Sequence, residues 1–268
     1  MRTVTFEVTE LNVYPVKSCR GTSLSEAQID ARGIRHDRSW VLVSDDGIAI
    51  TQREIPPLSL VSADIIDDQT MRFRAPSMPE LIVHKNGDGK LSNANIWGDD
   101  CRSVDQGDEP ANWFGKYMGV SCRLLTMADD FVRPVEPKLV KGDYRVGFAD
   151  SHPFVLISQA SLDDLNQRLD VAVPMNRFRP NIVVTGCSAF AEDDWKRIRI
   201  GQIEFVVSKP CARCVMITID QDKAELSKEP MKTLAGYRTV GKKVMFGQNL
   251  VHESQGVIKL GEPVEVLS

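Results

Sequence analysis

Two thiols and two cations fall within six residues, Lys209-Pro210-Cys211-Ala212-Arg213-Cys214. Thiolate is the metal-binding and nucleophilic form of cysteine, and neighbouring cations favour it. Arg213 and Lys209 stand in that relation to Cys211 and Cys214, and a thiolate suits a soft metal. A structural zinc site needs a second close pair of Cys or His ligands. Cys19, Cys101, Cys122 and Cys187 are scattered singly, and His36, His84, His152 and His252 form no cluster, which argues against zinc. A thioredoxin-like dithiol sits at a helix N-terminus, whereas β-branched residues follow Cys214 at once. Two cysteines packed as small apolar side chains remain an alternative.

Polar residues elsewhere could meet an anionic ligand. Lys17 and Ser18 follow Pro15 at the end of a strand pattern, and a solvated loop lysine is the competing reading. Arg35-His36-Asp37-Arg38 alternates in charge, as an exposed salt-bridged turn also would. A guanidinium such as that of Arg38 can pair with phosphate oxygens through two bonds. Ser151 and His152 precede an apolar strand, and a turn hydroxyl bonding its own backbone explains Ser151 equally well. In Asn176-Arg177-Phe178-Arg179-Pro180-Asn181, the proline biases Arg179 to extended backbone just before an apolar run. An arginine entering a buried strand needs an anion or a salt bridge, because an unpaired buried charge is costly.

Five stretches occur in one order: Tyr14-Pro15-Val16-Lys17-Ser18, Asp37-Arg38 with Trp40, Phe178-Arg179-Pro180-Asn181, the cysteine stretch with Thr218-Ile219-Asp220, and Phe246-Gly247-Gln248-Asn249. Together they resemble the MOSC-domain family. The likeness spans nearly the whole chain. It is nearest to the bacterial YcbX proteins and the mitochondrial amidoxime reducing components, in which a MOSC N-terminal β-barrel-like domain precedes the MOSC domain. The resemblance implies a molybdenum cofactor (Mo-molybdopterin), with Cys214 as the catalytic thiolate and protein ligand to the metal. It places Lys17, Ser18, Arg38, Ser151, His152, Arg179, Asn181 and Arg213 at that cofactor. Cys211 is left structural, and Phe246 to Asn249 form site wall. No pyridoxal phosphate is expected.

The implied reaction converts N–OH into N–H plus water with two electrons and two protons. Amidoximes, hydroxylamines and N-hydroxylated nucleobases are the implied substrates, and no side chain stands out as proton donor. A plant-type ferredoxin domain would show Cys-x4-Cys-x2-Cys, which the six cysteines do not make. YcbX carries such a domain after its MOSC part, near where this sequence stops at Ser268. The expected electron donor is therefore a separate ferredoxin-like or flavin carrier, unless a domain lies beyond the sequence given. Two rivals remain: a sulfur carrier holding a persulfide on Cys214, and a cofactor-binding escort without turnover.

The elements that must hold these residues are mostly strands. Val4, Phe6, Val8, Leu11 and Val13 alternate toward Pro15, and Trp40–Val43 with Ile48–Ile50 flank Asp45-Asp46-Gly47 as a hairpin. Met71–Arg74, Leu81–Val83 and Cys122–Thr126 read as short strands. Asp108-Glu109-Pro110 opens a helix with Ala111, Phe114 and Met118 on one face. Phe154–Ile157, Asn181–Val184 and Ile198–Val207 return to β. Ser161 has capping-box chemistry ahead of Leu162, Leu165 and Leu169. The six residues Lys209–Cys214 read as a strand connection, since Pro210 lacks a backbone donor, and Val215–Ile219 as a buried strand. Pro230 opens a short helix with Met231, Leu234 and Tyr237, and Val244–Val251, Val257–Leu260 and Val264–Leu267 close the chain. The fold class is α+β, mainly β: a MOSC β-barrel with a β-rich N-terminal domain and about three helices, divided as 1–125 and 126–268.

At 268 residues the chain can bury a sizeable core, and 42% hydrophobic with 26% charged residues is ordinary for a globular protein. A net charge of −4 does not suggest a nucleic-acid or anionic-membrane surface. No apolar run approaches the roughly 20 residues of a membrane helix, and the N-terminus has no signal-peptide core. Six irregularly spaced cysteines suggest a reduced, cytoplasmic setting.

Overall fold

Seven strands close into a barrel in the computed structural model, which describes residues 6–268. Val4, expected in the first strand, lies outside the described residues. Around the barrel run Phe154–Ser158, Ile182–Thr185, Phe6–Val13, Pro263–Val266, Arg197–Ile200, Ile203–Arg213 and Lys243–His252. The ring closes where Phe154 pairs with Leu250 and Leu156 with Gln248. Phe154–Ser158 and Ile182–Thr185 are parallel neighbours. Parallel strands need a crossover, and helix α2 (Gln159–Asn166) lies within it. The first strand, Phe6–Val13, therefore completes a barrel otherwise made from residues beyond 153.

The period of two along the staves sorts side chains into two cores. Val8, Leu11, Leu156, Ile182, Val184, Ile198, Phe205 and Leu250 fill the interior. Their neighbours Ile157 and Val183 face outward, where Leu162 and Leu165 of α2, Phe178, Ile217, Leu234 and Phe246 cover them. At Gly247 the backbone has φ +76°, and an added Cβ would stand 2.7 Å from the Leu156 carbonyl oxygen. Only glycine tolerates that approach at the closing seam.

The preceding half of the chain forms two smaller sheets of its own, and its Glu26–Asp30 and Gly33–Ile34 join Gly256–Lys259 in a third. Trp40–Val43, Arg123–Met127, Asp99–Asp105 and Leu91–Ile96 make one, and Ser62–Asp67, Thr70–Arg74 and Leu81–His84 the other. Helix α1 (Asp108–Met118) packs Trp113 and Phe114 against Phe73 of the second sheet. A third helix, α3 (Met231–Ala235), follows Pro230 and buries Leu234.

Four local expectations are corrected. Lys209–Arg213 is not a loop but the end of the long strand Ile203–Arg213, with Lys209 opposite Asn249 and Pro210 opposite Gln248. The ladder shifts register on both sides of Pro210, and such bulges are where a strand can take a residue without N–H. Val215–Thr218 is a 3-10 helix instead of a buried strand, with Val215 exposed and Ile217 buried. Among the described residues no neighbouring strand pairs there, and the Thr218 hydroxyl donates back to the Val215 carbonyl at 2.7 Å. The cap of α2 is Ser158, whose Oγ accepts from Ser161 N, and Ser161 instead donates its hydroxyl to Glu192. Arg179 is left-handed, φ 52° and ψ 48°, because it ends the 3-10 turn Met175–Phe178 while its N–H donates to Asn176 O.

Candidate functional site

The mouth of the barrel opens into a cavity of about 330 Å³. Lys17, Ser18, Arg38, Ser151, His152, Arg179, Asn181, Arg213 and Cys214 all line it. They arrive on five separate stretches: the turn after the first strand, the loop before Trp40, the approach to Phe154, the turn after α2's crossover, and the end of the long strand. Cys211 lines it too but is buried.

Cys214 follows the long strand, capping the 3-10 turn Val215–Thr218, and is half-buried. The cation at its sulfur is Arg53, whose Nη2 donates to Sγ at 3.2 Å. Arg53 also lies 3.6 Å from the Asp150 carboxylate and stacks on the Trp97 ring at 4.5 Å. Arg213 is turned away from the thiol. Its Nε and Nη1 donate to the carbonyls of Phe246 and Phe178, whose rings lie tilted with centroids 4.4 Å apart. Lys209 attends Cys211 rather than Cys214, with its ammonium pushed down by burial.

Opposite the sulfur, a buried clasp joins the first strand to the turn before Ile182. The Asp37 carboxylate accepts from Tyr14 N at 2.9 Å, Asn181 Nδ2 at 3.0 Å and Arg38 Nη1 at 2.7 Å. Burial pushes this carboxyl up, and Arg38 counters it. Asn181 spends its whole amide on the scaffold: Nδ2 also donates to Asn12 O, while Oδ1 accepts from Arg38 Nη1 and Val155 N. Arg38 and Arg179 both stack on Tyr14, at 4.3 and 4.2 Å. Burial raises the Tyr14 hydroxyl to about 12, so it stays a neutral donor, to Pro180 O.

Three of the gathered residues hold a positive φ without being glycine: Ser18 at 67°, Arg38 at 44° and Arg179 at 52°. Each costs about 1–2 kcal/mol, and surrounding bonds such as Arg38 N to Tyr14 O at 2.8 Å hold the turn. Lys17 is only 6% exposed, not a solvated loop lysine. Its ammonium donates to Asp150 and to Phe148 O, and burial pulls its pKa down. Asp150 is held well below the usual carboxylate range by Lys17 and Arg53, against its own desolvation. At the near wall, His152 shares hydrogen bonds with Ser151 Oγ and Ser208 Oγ, each at 2.9 Å. Burial and then Lys209 push the imidazole down to about 4, so it is neutral near pH 7.

What this cavity can hold follows from its unmet donors. Arg177 Nε and Nη1, Arg179 Nη2 and Arg213 Nη2 are buried with no partner among the described residues, although Arg177 Nη2 reaches Asp220 at 2.9 Å. Unpaired buried guanidinium N–H groups call for an anion. Among the described residues no three His, Cys, Asp or Glu side chains gather to hold a metal by themselves. A phosphate-bearing cofactor that brings its own metal ligands and takes one sulfur from the protein fits this donor set. Asp37, Tyr14 and Arg177 lay inside stretches singled out from the sequence, but their roles depend on contacts far along the chain. Arg53, in Thr51-Gln52-Arg53-Glu54, had no local signal at all.

Comparison with known proteins shows the family. Residues 5–121 match the MOSC N-terminal beta barrel domain, and residues 143–265 match the MOSC domain. Mitochondrial amidoxime reducing component 2 of Bos taurus is 37% identical, over 96% of this chain and 82% of its own. Mitochondrial amidoxime-reducing component 1 is 35% identical in Mus musculus and 34% in Homo sapiens, over 97% of this chain and 82% of each relative. Among the described residues, no helix is long and apolar enough to cross a membrane.

Proposed function

The chain belongs to the MOSC-domain family, and from that premise we propose that it is a molybdenum-cofactor-dependent oxidoreductase that reduces N-hydroxylated compounds. The reaction is N–OH to N–H plus water, with electrons supplied by a separate iron–sulfur or flavin carrier. The cofactor, when bound, supplies the two-electron chemistry. Cys214 offers the protein's sulfur to the metal. Arg177, Arg179 and Arg213 offer their unpartnered N–H groups to the cofactor's anionic end. Lys17 adds a buried cation to the same wall, partly neutralised by Asp150. Asn181 acts by holding Arg38 and Asp37 in place, since its own amide is fully used. Ser151 and the neutral His152 present a hydroxyl–imidazole pair to the cavity, able to orient a bound donor group.

The observation that carries this reading is the meeting of the Cys214 sulfur and the unpaired guanidinium donors in one cavity. The experiment is molybdenum content and benzamidoxime turnover, with reduced methyl viologen as donor, in wild type, Cys214→Ala and Cys211→Ala. Loss of turnover in Cys214→Ala, with a mild effect of Cys211→Ala and both folded, is the expected result. Turnover that survives Cys214→Ala but not Cys211→Ala would reverse the ligand assignment. Metal-free protein bearing a persulfide at Cys214 would make it a sulfur carrier instead.

A further inference from the structure

The reduction just proposed consumes two electrons per turnover, and this inference rests on that reading. None of the six cysteines in residues 1–268 has iron–sulfur cluster spacing, and the reaction proposed above takes its electrons from a separate carrier. Where it docks is written in the cavity rim on the barrel side. Three pieces meet there: the Lys209–Arg213 end of the long strand, the turn that starts at Val215, and the hairpin Thr239–Lys243. The hairpin pairs Val240 with Lys243, and Arg213 lies opposite Val244, so its tip stands beside the end of the cysteine strand.

Exposed side chains on these pieces are of two kinds. Val215 and Val240 are apolar yet 45% and 66% exposed. Lys242 and Lys243 complete the hairpin that carries Val240, and Lys209 and Lys243 line the cavity and repel one another. The loop carrying exposed Lys138 and Lys141 runs alongside, where Leu139 O accepts from Ser208 Oγ. Glu136 is the carboxylate whose field reaches Lys209. In a chain of net charge −4, such a lysine-ringed apolar spot is an exception. On the other side Arg53 of the N-terminal half, itself stacked on Trp97, caps the Cys214 sulfur, so the barrel side is the open approach.

We propose that Val215 and Val240, ringed by Lys209, Lys242 and Lys243, form the docking surface for an acidic electron-transfer protein. A small apolar centre with a charged rim suits a transient redox encounter, in which complementary charge raises the on-rate more than the affinity. Lysine, a hydrated and mobile cation, makes pairs that release readily. Val215 adjoins Cys214 in sequence, so a partner seated on it stands next to the cofactor's sulfur ligand. Two one-electron carriers are oxidised for each N–OH reduced, two protons are taken up, and one water leaves.

The test uses Val240→Asp with Lys242→Glu, two positions that do not line the cavity. The probe is a plant-type ferredoxin with an acidic surface, its binding measured by calorimetry at low and at near-physiological salt. Binding at low salt is expected to weaken on the order of tenfold in the variant, and its salt dependence to flatten. Turnover driven by reduced ferredoxin falls in step, while turnover driven by dithionite does not change. Equal ferredoxin binding by wild type and variant overturns the proposal. So does a loss shared by both donors, or wild-type binding to phosphatidylserine vesicles in place of ferredoxin. If wild type fails to turn over with dithionite, the proposed activity falls, and the calorimetry still decides the docking surface.

Discussion

Asn181→Asp replaces an amide with a carboxyl of the same shape at the centre of the clasp, where the side chain is 1% exposed. The oxygen that accepts from Arg38 and Val155 is kept. The nitrogen that donates to Asp37 Oδ1 at 3.0 Å and to Asn12 O at 3.2 Å becomes a second acceptor facing two acceptors. Two carboxylates at that distance cannot both ionise, so the folded state must keep one proton on the pair. An ordinary aspartate has a pKa of about 3.9, and a tenfold change in proton affinity is worth about 1.4 kcal/mol. Holding the proton near pH 7 therefore costs up to about 4 kcal/mol, and near pH 4.5 less than about 1 kcal/mol. The sign follows from a folded pKa raised above the unfolded one. The variant keeps its stability below about pH 4 and loses it as pH rises. For a chain of this size about 4 kcal/mol lowers Tm by roughly 8–15 °C. Urea unfolding and thermal melts of wild type and variant near pH 4.5 and pH 7 measure it. A loss equal at both pH values, or none at either, would refute the clasp and leave Asn181 as a ligand contact only.

Gly247→Ala places a Cβ 2.6 Å from Ile157 Cγ1 at positive φ, so denaturant unfolding should show a loss of about 2–4 kcal/mol at the barrel seam. His152, with its pKa pushed from 6.5 to about 4 by burial and Lys209, makes the unfolded chain take up a proton first as pH falls. Stability should drop by about 3 kcal/mol between about pH 6.5 and 4, and His152→Gln should flatten that part of a Tm-against-pH curve. Asp150, held low by Lys17 and Arg53, stabilises above the normal carboxylate range and loses that contribution as pH falls below about 4. Because its side chain is 54% exposed, Asp150→Asn should cost only about 1–2 kcal/mol near neutral pH. The variant should also soften the acid limb of the same curve; a loss beyond about 4 kcal/mol would mean that Lys17 has no other support.

Strand periodicity carried the architecture. Leu11 with Val13, and Ile182 with Val184, share a face because a stave has a period of two, and that pattern is local; Val8 joins the same core only through the irregularity between Val8 and Glu10. Helix α1 likewise announced itself by Asp108-Glu109-Pro110 and the residues it buries. Where the local pattern failed, a distant partner had overruled it. Pro210 sits in a ladder because bulges against Gln248 and Asn249 accommodate it, and Val215–Thr218 curls because no strand among the described residues pairs with it. Arg179 leaves the extended region that Pro180 favours, held left-handed by the turn it closes and by stacking on Tyr14.

By itself the sequence determined which residue types were on hand for chemistry: the Cys214 sulfur, the cations at positions 17, 38, 179 and 213, and the strands that could carry them. Only closure of the barrel decided that these groups, up to 197 positions apart between Lys17 and Cys214, share one cavity. Closure also turned Arg213 toward two carbonyls, and the N-terminal half packed beside the barrel supplied Arg53 as the cation at the sulfur. The physical reason is that alternation and capping are enforced between neighbours in the chain. A guanidinium's partner, in contrast, is chosen by whichever acceptor the closed barrel leaves within about 3 Å.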